Sequence, residues 1–270
     1  MPEIPEIMSR TKELKAELTG QTIQNIEVFQ PKCLNVPPAT FIHSLTKATI
    51  ANVSSKGKWI LIDTDRGWWL ENMGMGGEML LLTRESLPKK YRLLFDFTNG
   101  MTLSINYWWF GYSHFVKKDQ IDKHPILSKL GPGALEISRK EFITLIHGQR
   151  GRVKSVLLDQ SKIAGIGNAY IHDILFLAKI HPLRTSNSLE ENEIDSLYSA
   201  IHKGLEPSLA KGGAWYELNL YGKPGGFQQK DILIGYRAGT PCPHCGTPIE
   251  KIQTGSTTSF ICPHCQVFSP

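Results

Sequence analysis

No stretch of this 270-residue chain stays apolar for the length that a bilayer crossing requires, and no apolar run follows the N-terminus as in a secretory signal. These absences argue against a helical membrane protein and make a cytoplasmic location the expectation. Low-complexity segments are missing too, and the only internal repeat is a Cys-Pro-His-Cys knuckle that occurs twice. Cysteine is scarce, with five residues, four of them in paired spacing, which fits metal ligation in a reducing compartment better than a disulfide framework. What the chain has in quantity is apolar side chain, 41% of its residues, enough for a core and against disorder.

The net charge of +5 is weak evidence by itself, but its distribution is stronger. Between Arg139 and Arg184 stand eight Lys/Arg (Arg139, Lys140, Arg150, Arg152, Lys154, Lys162, Lys179, Arg184) against Glu141, Asp159 and Asp173, an excess equal to that of the whole chain. Such a cluster suits a nucleic-acid backbone; the competing explanation is a solvated helical face.

Cys242 and Cys245 are followed after sixteen residues by Cys262 and Cys265, a spacing that closes a tetrahedral Zn²⁺ site. A single Cys-x-x-Cys beside a βαβ pattern would suggest thiol–disulfide exchange, but here two copies flank a polar, Gly/Thr-rich, hairpin-like stretch. Four thiolates fill the coordination sphere, so one structural zinc ion is expected, with His244 and His264 as bystanders and Cys33 as a free thiol. At the other end the chain reads Met1-Pro2-Glu3-Ile4-Pro5-Glu6. Removal of Met1 would expose a secondary amine at Pro2 beside a carboxylate, whereas retention leaves a tertiary amide.

Periodicity predicts a helix over 5–18, with Ile7, Thr11, Leu14 and Leu18 on one face and Gly20 as its stop. Strands are expected over 22–29, 49–53, 59–63, 68–72 and 79–82, then a hairpin 93–97/101–105 turning at Asn99-Gly100 in a type I′ turn. So many short strands at close spacing suggest a sandwich or barrel. The texture changes at Gly131-Pro132-Gly133, after which helices are predicted over 139–147, 154–159, 168–178 and 189–209, the last with a Ser188/Glu191 capping box. Gly165-Ile166-Gly167-Asn168 feeds a helix, with Asn168 where an N-cap would sit and backbone N–H groups facing outward for a phosphate. The expected architecture is α+β in three parts: an N-terminal β-sandwich with a leading helix (1–130), a helical domain (131–235) whose helix-turn-helix element suits a nucleic-acid backbone, and a zinc ribbon (236–270).

Taken in order, these motifs resemble those of the bacterial formamidopyrimidine-DNA glycosylase/endonuclease VIII family from one terminus to the other. Pro2-Glu3-Ile4-Pro5-Glu6 resembles the family's opening, Lys56-Gly57-Lys58-Trp59 its basic loop, and Met73-Gly74-Met75-Gly76-Gly77 the loop that carries an intercalating methionine, here Met75. Lys154 to Gln160, Gly165 to Asn168 and Ile180-His181-Pro182 resemble the helix-two-turn-helix, and Gly222-Lys223-Pro224-Gly225 and the cysteine ribbon complete the order. The resemblance implies a bifunctional DNA glycosylase/abasic-site lyase of base excision repair, acting on damaged DNA as a monomer. In that chemistry Pro2 attacks deoxyribose C1′ to form an iminium, Glu3 protonates the opening sugar and Lys58 holds a phosphate or the damaged base. The alternative is a DNA-damage binder that keeps the clamp without efficient excision; a zinc-ribbon RNA- or partner-binding module would leave the N-terminal motif idle.

Four departures from the family pattern stand out. Its Asp-Pro-Arg-Arg-Phe-Gly is replaced by Asn106-Tyr107-Trp108-Trp109-Phe110-Gly111, so the arginine that reads the unpaired partner base is absent. Its histidine before the methionine loop is Asn72, and the zinc hairpin from Gly255 to Ser259 lacks the phosphate-gripping arginine. The stretch Ala214 to Tyr221 is about two residues shorter than the family's loop over an everted purine. Met75 with Trp108, Trp109 and Phe110 is therefore expected to fill the duplex gap by stacking, with core packing as the alternative for either tryptophan.

Overall fold

A computed structural model describes residues 1–255 and 257–268 of the chain. Ser256, in the arginine-free hairpin stretch, lies outside the described residues. The chain divides into two compact units, Met1–Lys129 with Lys211–Gly226, and Leu130–Ala210 with Phe227–Pro270.

The first unit opens with helix α1 (Ile4–Leu18), which carries Pro5 in its first turn, where a missing N–H costs nothing. Its buried face is Ile7, Leu14 and Leu18. Two four-stranded antiparallel sheets follow. One has the order β1-β6-β7-β5 and is built from β1 (Ile23–Val28), β6 (Leu93–Phe97), β7 (Thr102–Asn106) and β5 (Glu78–Leu82). The other, β2-β3-β4-β8, uses β2 (Ile50–Lys56), β3 (Trp59–Thr64), β4 (Gly67–Asn72) and β8 (Tyr112–Val116). Their apolar faces meet in one core, where Trp69 stacks on Phe95 with ring centroids 3.9 Å apart and Phe41 meets Phe95 edge-on.

Two elements escape the sequence patterns. Helix α2 (Pro38–Leu45) has only Phe41 and Leu45 as core residues, too few for a periodicity to show. Strand β8 hides behind Ser113 and His114, polar residues that are nevertheless buried. The β6–β7 turn also differs from the expected I′ type: Gly100 has φ +79° while Asn99 does not enter the left-handed region. Phe97 N–H donates to Met101 C=O at 2.9 Å, which makes a three-residue connection with glycine at its positive-φ position.

The second unit holds α3 (Arg139–His147), α4 (Val153–Leu158), α5 (Ile171–Leu177), α6 (Glu191–Ala210) and the hairpin of β9 (Glu250–Thr254) and β10 (Thr257–Ile261). Ser138 and Glu141 form a capping box on α3. The box expected from Ser188 is not formed, because Ser188 closes a 3₁₀ turn; Glu193 instead accepts from Glu190 N–H at 2.9 Å. Gln160 fixes the double turn after α4: its amide donates to Leu158 and Ile166 C=O, and its carbonyl accepts from Gly165 N–H at 2.9 Å. Buried Asp173 of α5 accepts three consecutive N–H groups, from Leu233, Ile234 and Gly235, which ties the approach to the ribbon onto that helix. Phe176, Ile234, Ile249 and Phe260 with Cys242 and Cys262 make a small shared core.

Candidate functional site

The first unit gathers the amine-terminal residues. Pro2 and Glu3 are buried at the N-terminus of α1, where Glu3 N–H donates to the Glu6 carboxylate at 2.9 Å and the Glu3 side chain accepts in return from the Glu6 N–H. Lys58 sits at the tip of the two-residue β2–β3 connection, which only glycine enters easily because Gly57 takes φ +56°. Burial pulls the Lys58 ammonium below its ordinary range while the charges of Glu3 and Glu6 hold it up. Burial also raises Glu217 to about 7, against the pull of the N-terminal ammonium and of Arg10.

One polar face of α1 docks the segment 211–226 rung by rung. Ala214 N–H donates to Glu6, Arg10 donates to Leu218 C=O, Leu220 N–H donates to Glu13 and Tyr221 O–H donates to Glu17. This stretch is a strap held to the helix that follows Pro2 and Glu3.

Asn72 links that centre to the methionine loop: its amide donates to Lys58 C=O at 2.9 Å, and its carbonyl accepts from Gly74 N–H at 3.1 Å. Met75 and Trp109 exchange both backbone hydrogen bonds, at 2.7 and 3.1 Å. The side chains beside this bridge face outward: Met75 is 49% exposed, Trp108 79%, Trp109 59% and Phe110 64%. Neither tryptophan is a core residue. Four large apolar groups on one loop pair are a surface that water solvates poorly and that flat rings can cover.

Glu71, beside Asn72, is a residue that sequence patterns overlooked. It shares the inward parity of Trp69 on β4, and a carboxyl on that face was the available signal. It is fully buried; Tyr107 O–H donates to one oxygen and Trp69 Nε1 to the other, at 3.2 Å. Burial pushes it up to about 8 against the pull of these donors. The folded state thus keeps a proton that the unfolded chain releases near 4.5, and stability falls as pH rises from about 4.5 to about 8, by on the order of 4 kcal/mol. Glu71→Gln removes this dependence. Its stability relative to the natural chain, read as urea midpoints, should grow by about 2–4 kcal/mol between pH 5 and pH 8.5. A constant difference would mean that the carboxylate is ionised in the folded protein.

In the second unit the four thiols of Cys242, Cys245, Cys262 and Cys265 lie within 4.8 Å of one another, with Sγ pairs at 3.4, 3.6 and 3.9 Å. A tetrahedral zinc with Zn–S bonds of about 2.3 Å needs sulfurs about 3.8 Å apart, so the four residues are positioned to hold one structural zinc ion. The His244 ring packs on Phe176, 4.8 Å between centroids, rather than joining the thiols.

The basic cluster is thinner on the surface than in the sequence. Arg139 is paired bidentately with Asp195 and Arg184 with Glu193. Lys154, expected at a DNA surface, is 2% exposed; its ammonium donates to Thr254, Thr257 and Ser259 hydroxyls and to Thr258 C=O, at 2.6 to 3.2 Å. It is a buried strut of the zinc hairpin, and the physical reason is that four oxygens replace its water. Lys140, Arg150, Arg152 and Lys179 remain exposed. Asn168 is exposed but caps nothing: α5 begins three residues later with Tyr170 as its N-cap, and Asn168 C=O accepts from Tyr236 O–H at 3.2 Å. Gly167 is buried in the turn before it.

Comparison with known proteins gives this geometry its context. Residues 1–107 match the formamidopyrimidine-DNA glycosylase N-terminal domain, residues 130–218 its H2TH domain and residues 239–267 the zinc finger found in FPG and IleRS. The chain is 33% identical to the formamidopyrimidine-DNA glycosylase of Listeria innocua over 98% of its length and 100% of the relative's. It is also 33% identical to that of Pectobacterium atrosepticum, over 99% of its length and 100% of the relative's. Among solved structures, the complex of Lactococcus lactis Fpg with DNA containing an abasic site superposes with a TM-score of 0.91 at 28% identity, covering 98% of this chain and 100% of the other. A complex of the same protein with N7-benzyl-Fapy-dG DNA gives 0.91 over 99% of this chain and 100% of the other. On these full-length matches, the chain belongs to the formamidopyrimidine-DNA glycosylase family.

Proposed function

We propose that the chain is a DNA glycosylase/abasic-site lyase of base excision repair that works through the amine of Pro2 once Met1 is gone. What supports the mechanism is that Pro2 and Glu3 are buried together at the N-terminus of α1, with the Lys58 ammonium within the electrostatic reach of Glu3 and Glu6. The amine's lone pair attacks C1′, and the damaged base leaves with its bonding electrons. The bound nitrogen gives up its proton, and the C1′–O4′ bond breaks onto the oxygen that Glu3 protonates. The iminium at C1′ takes up the electron pair left when a C2′ proton and then a C4′ proton pass to a base, so that the 3′ and then the 5′ phosphate leave with their bonding electrons. Lys58 holds a phosphate or the base. The test is borohydride reduction in the presence of abasic DNA: a covalent adduct marks the enzyme, and binding without adduct marks a damage binder.

The same reading assigns Asn168, the turn at Gly167 and the exposed Arg150 and Arg152 to phosphates, in a cytoplasmic monomer. Lys154 acts through the hairpin it supports. An arginine placed at Thr257 should steepen the log–log salt slope of DNA binding by about 0.9, one added phosphate contact. An unchanged slope would mean that the hairpin turn does not reach the backbone.

Met75, Trp108, Trp109 and Phe110 form the wedge that enters the duplex. An arginine reading a base edge gives about 1–3 kcal/mol of discrimination, whereas an indole stacks for roughly the same energy on any base. Adduct formation at one lesion placed opposite A, C, G and T should therefore vary less than about tenfold, near 1.4 kcal/mol. A larger preference for cytosine would mean that a polar group reads the partner base.

A further inference from the structure

Glu71 takes no part in the chemistry above, yet it is a buried acid at the junction of both loops that meet in the Met75–Trp109 bridge. On its own strand the next residue, Asn72, seats Lys58 and Gly74. Across the core its carboxyl receives the hydroxyl of Tyr107, the last residue before Trp108. Trp69 Nε1 reaches both Glu71, at 3.2 Å, and Ser113 Oγ of β8, at 2.8 Å, so the indole beside the acid also joins β4 to β8. On the far side of the loop, Gly111 lies so close to the Tyr107 ring that a Cβ there would meet it at 1.8 Å. Tyr107 is thus clamped at its hydroxyl by Glu71 and at its ring by Gly111, which leaves Trp108, Trp109 and Phe110 as a three-residue outward arch between fixed feet.

We propose that Glu71, acting through Tyr107, is the positioning residue that holds the aromatic arch in its DNA-inserting form. A loop with three exposed aromatic side chains has a cheaper alternative in water, which is to fold those rings back onto the sandwich. A polar tether beneath the loop opposes that collapse, because withdrawing Tyr107 would leave a buried acid without its donor. The titratable groups facing Glu71 are Tyr107 and the buried thiol of Cys33, both neutral at physiological pH since burial raises each of them. The tether therefore works without an ion pair.

The proposal rests on the wedge reading, and the test separates the two. The quantity is the ratio of affinities for a duplex bearing a tetrahydrofuran abasic analogue and for the same strand unpaired, since only the duplex has a gap to fill. A loss of folded protein lowers both affinities and leaves their ratio alone. Tyr107→Phe and Glu71→Ala should each lower the ratio about five- to tenfold, and Glu71→Gln, which keeps an acceptor in place, should restore it to within about twofold of the natural chain. Trp109→Ala serves as the control on the wedge. If Trp109→Ala lowers the ratio while Tyr107→Phe and Glu71→Ala do not, the tether is refuted and the wedge stands. If neither Trp108→Ala nor Trp109→Ala changes the ratio, the wedge reading fails and the tether loses its role with it.

Discussion

Pro2→Gly, in protein freed of Met1, should slow formation of the borohydride-reducible adduct by on the order of a hundredfold, about 2.7 kcal/mol of barrier. Glycine still offers an α-amine, so the reaction is weakened rather than lost. Two properties of proline disappear. A secondary amine gives an iminium that is cationic without needing a proton, whereas a primary amine gives an imine that is an electron sink only when protonated. The pyrrolidine ring also fixes the approach of the nitrogen at the head of α1, where Pro2 is buried next to Glu3, whose N–H donates to Glu6. Protein that keeps Met1 or an N-terminal tag should give no adduct, because the nitrogen is then an amide. Trapping that survives such a block would make a lysine the nucleophile, with Lys58 the first suspect.

The second large effect concerns the metal. Cys245→Ser should lower DNA affinity by on the order of a hundredfold and shift the unfolding of the second unit, while the sandwich unit melts as before. The loss propagates because the zinc knuckles share a core with Phe176 of α5, and Lys154 holds the hairpin between them through four oxygens. A ribbon with so few apolar residues has little else to fold around. Less than half an equivalent of zinc in protein purified under reducing conditions would defeat this account, as would an unchanged urea midpoint in the serine variant.

The metal site was legible because it depends on residues that need no tertiary partner to be recognised, paired cysteines at fixed spacing. The strands were legible for a related reason, since alternation is a property of the chain alone. Lys154 shows where that reasoning stops. A lysine in a basic cluster reads as a surface charge until the hairpin a hundred residues later supplies oxygens to bury it. Asn168 fails similarly as a cap, because the helix begins after Tyr170, a buried residue whose hydroxyl is hydrogen-bonded to Ser208 thirty-eight residues later, and not after the residue with the best capping chemistry. Glu71 was hidden by its neighbours, an acid in a run of tryptophan and leucine whose meaning appears only when Tyr107 faces it. In each case the missing information was the identity of a distant partner.

The strap on α1 carries a consequence for how the protein is made. Leu220 is a fully buried member of the sandwich core, and its C=O accepts from Leu81 N–H at 2.9 Å. Residues 211–226 thus complete a unit whose other part ends at Lys129, and the intervening eighty-one residues belong to the second unit. A growing chain on the ribosome cannot finish the sandwich when its strands have emerged. Until residue 221 has been added, Glu6, Glu13 and Glu17 lack their strap partners and the Leu220 site is open. A fragment cut at Lys129 for expression would carry the same defect permanently, exposing apolar core beside the N-terminal helix. The useful boundary for dissecting this protein is therefore not between its strands and its helices, and a sandwich meant to stand alone needs residues 211–226 returned to it through a linker.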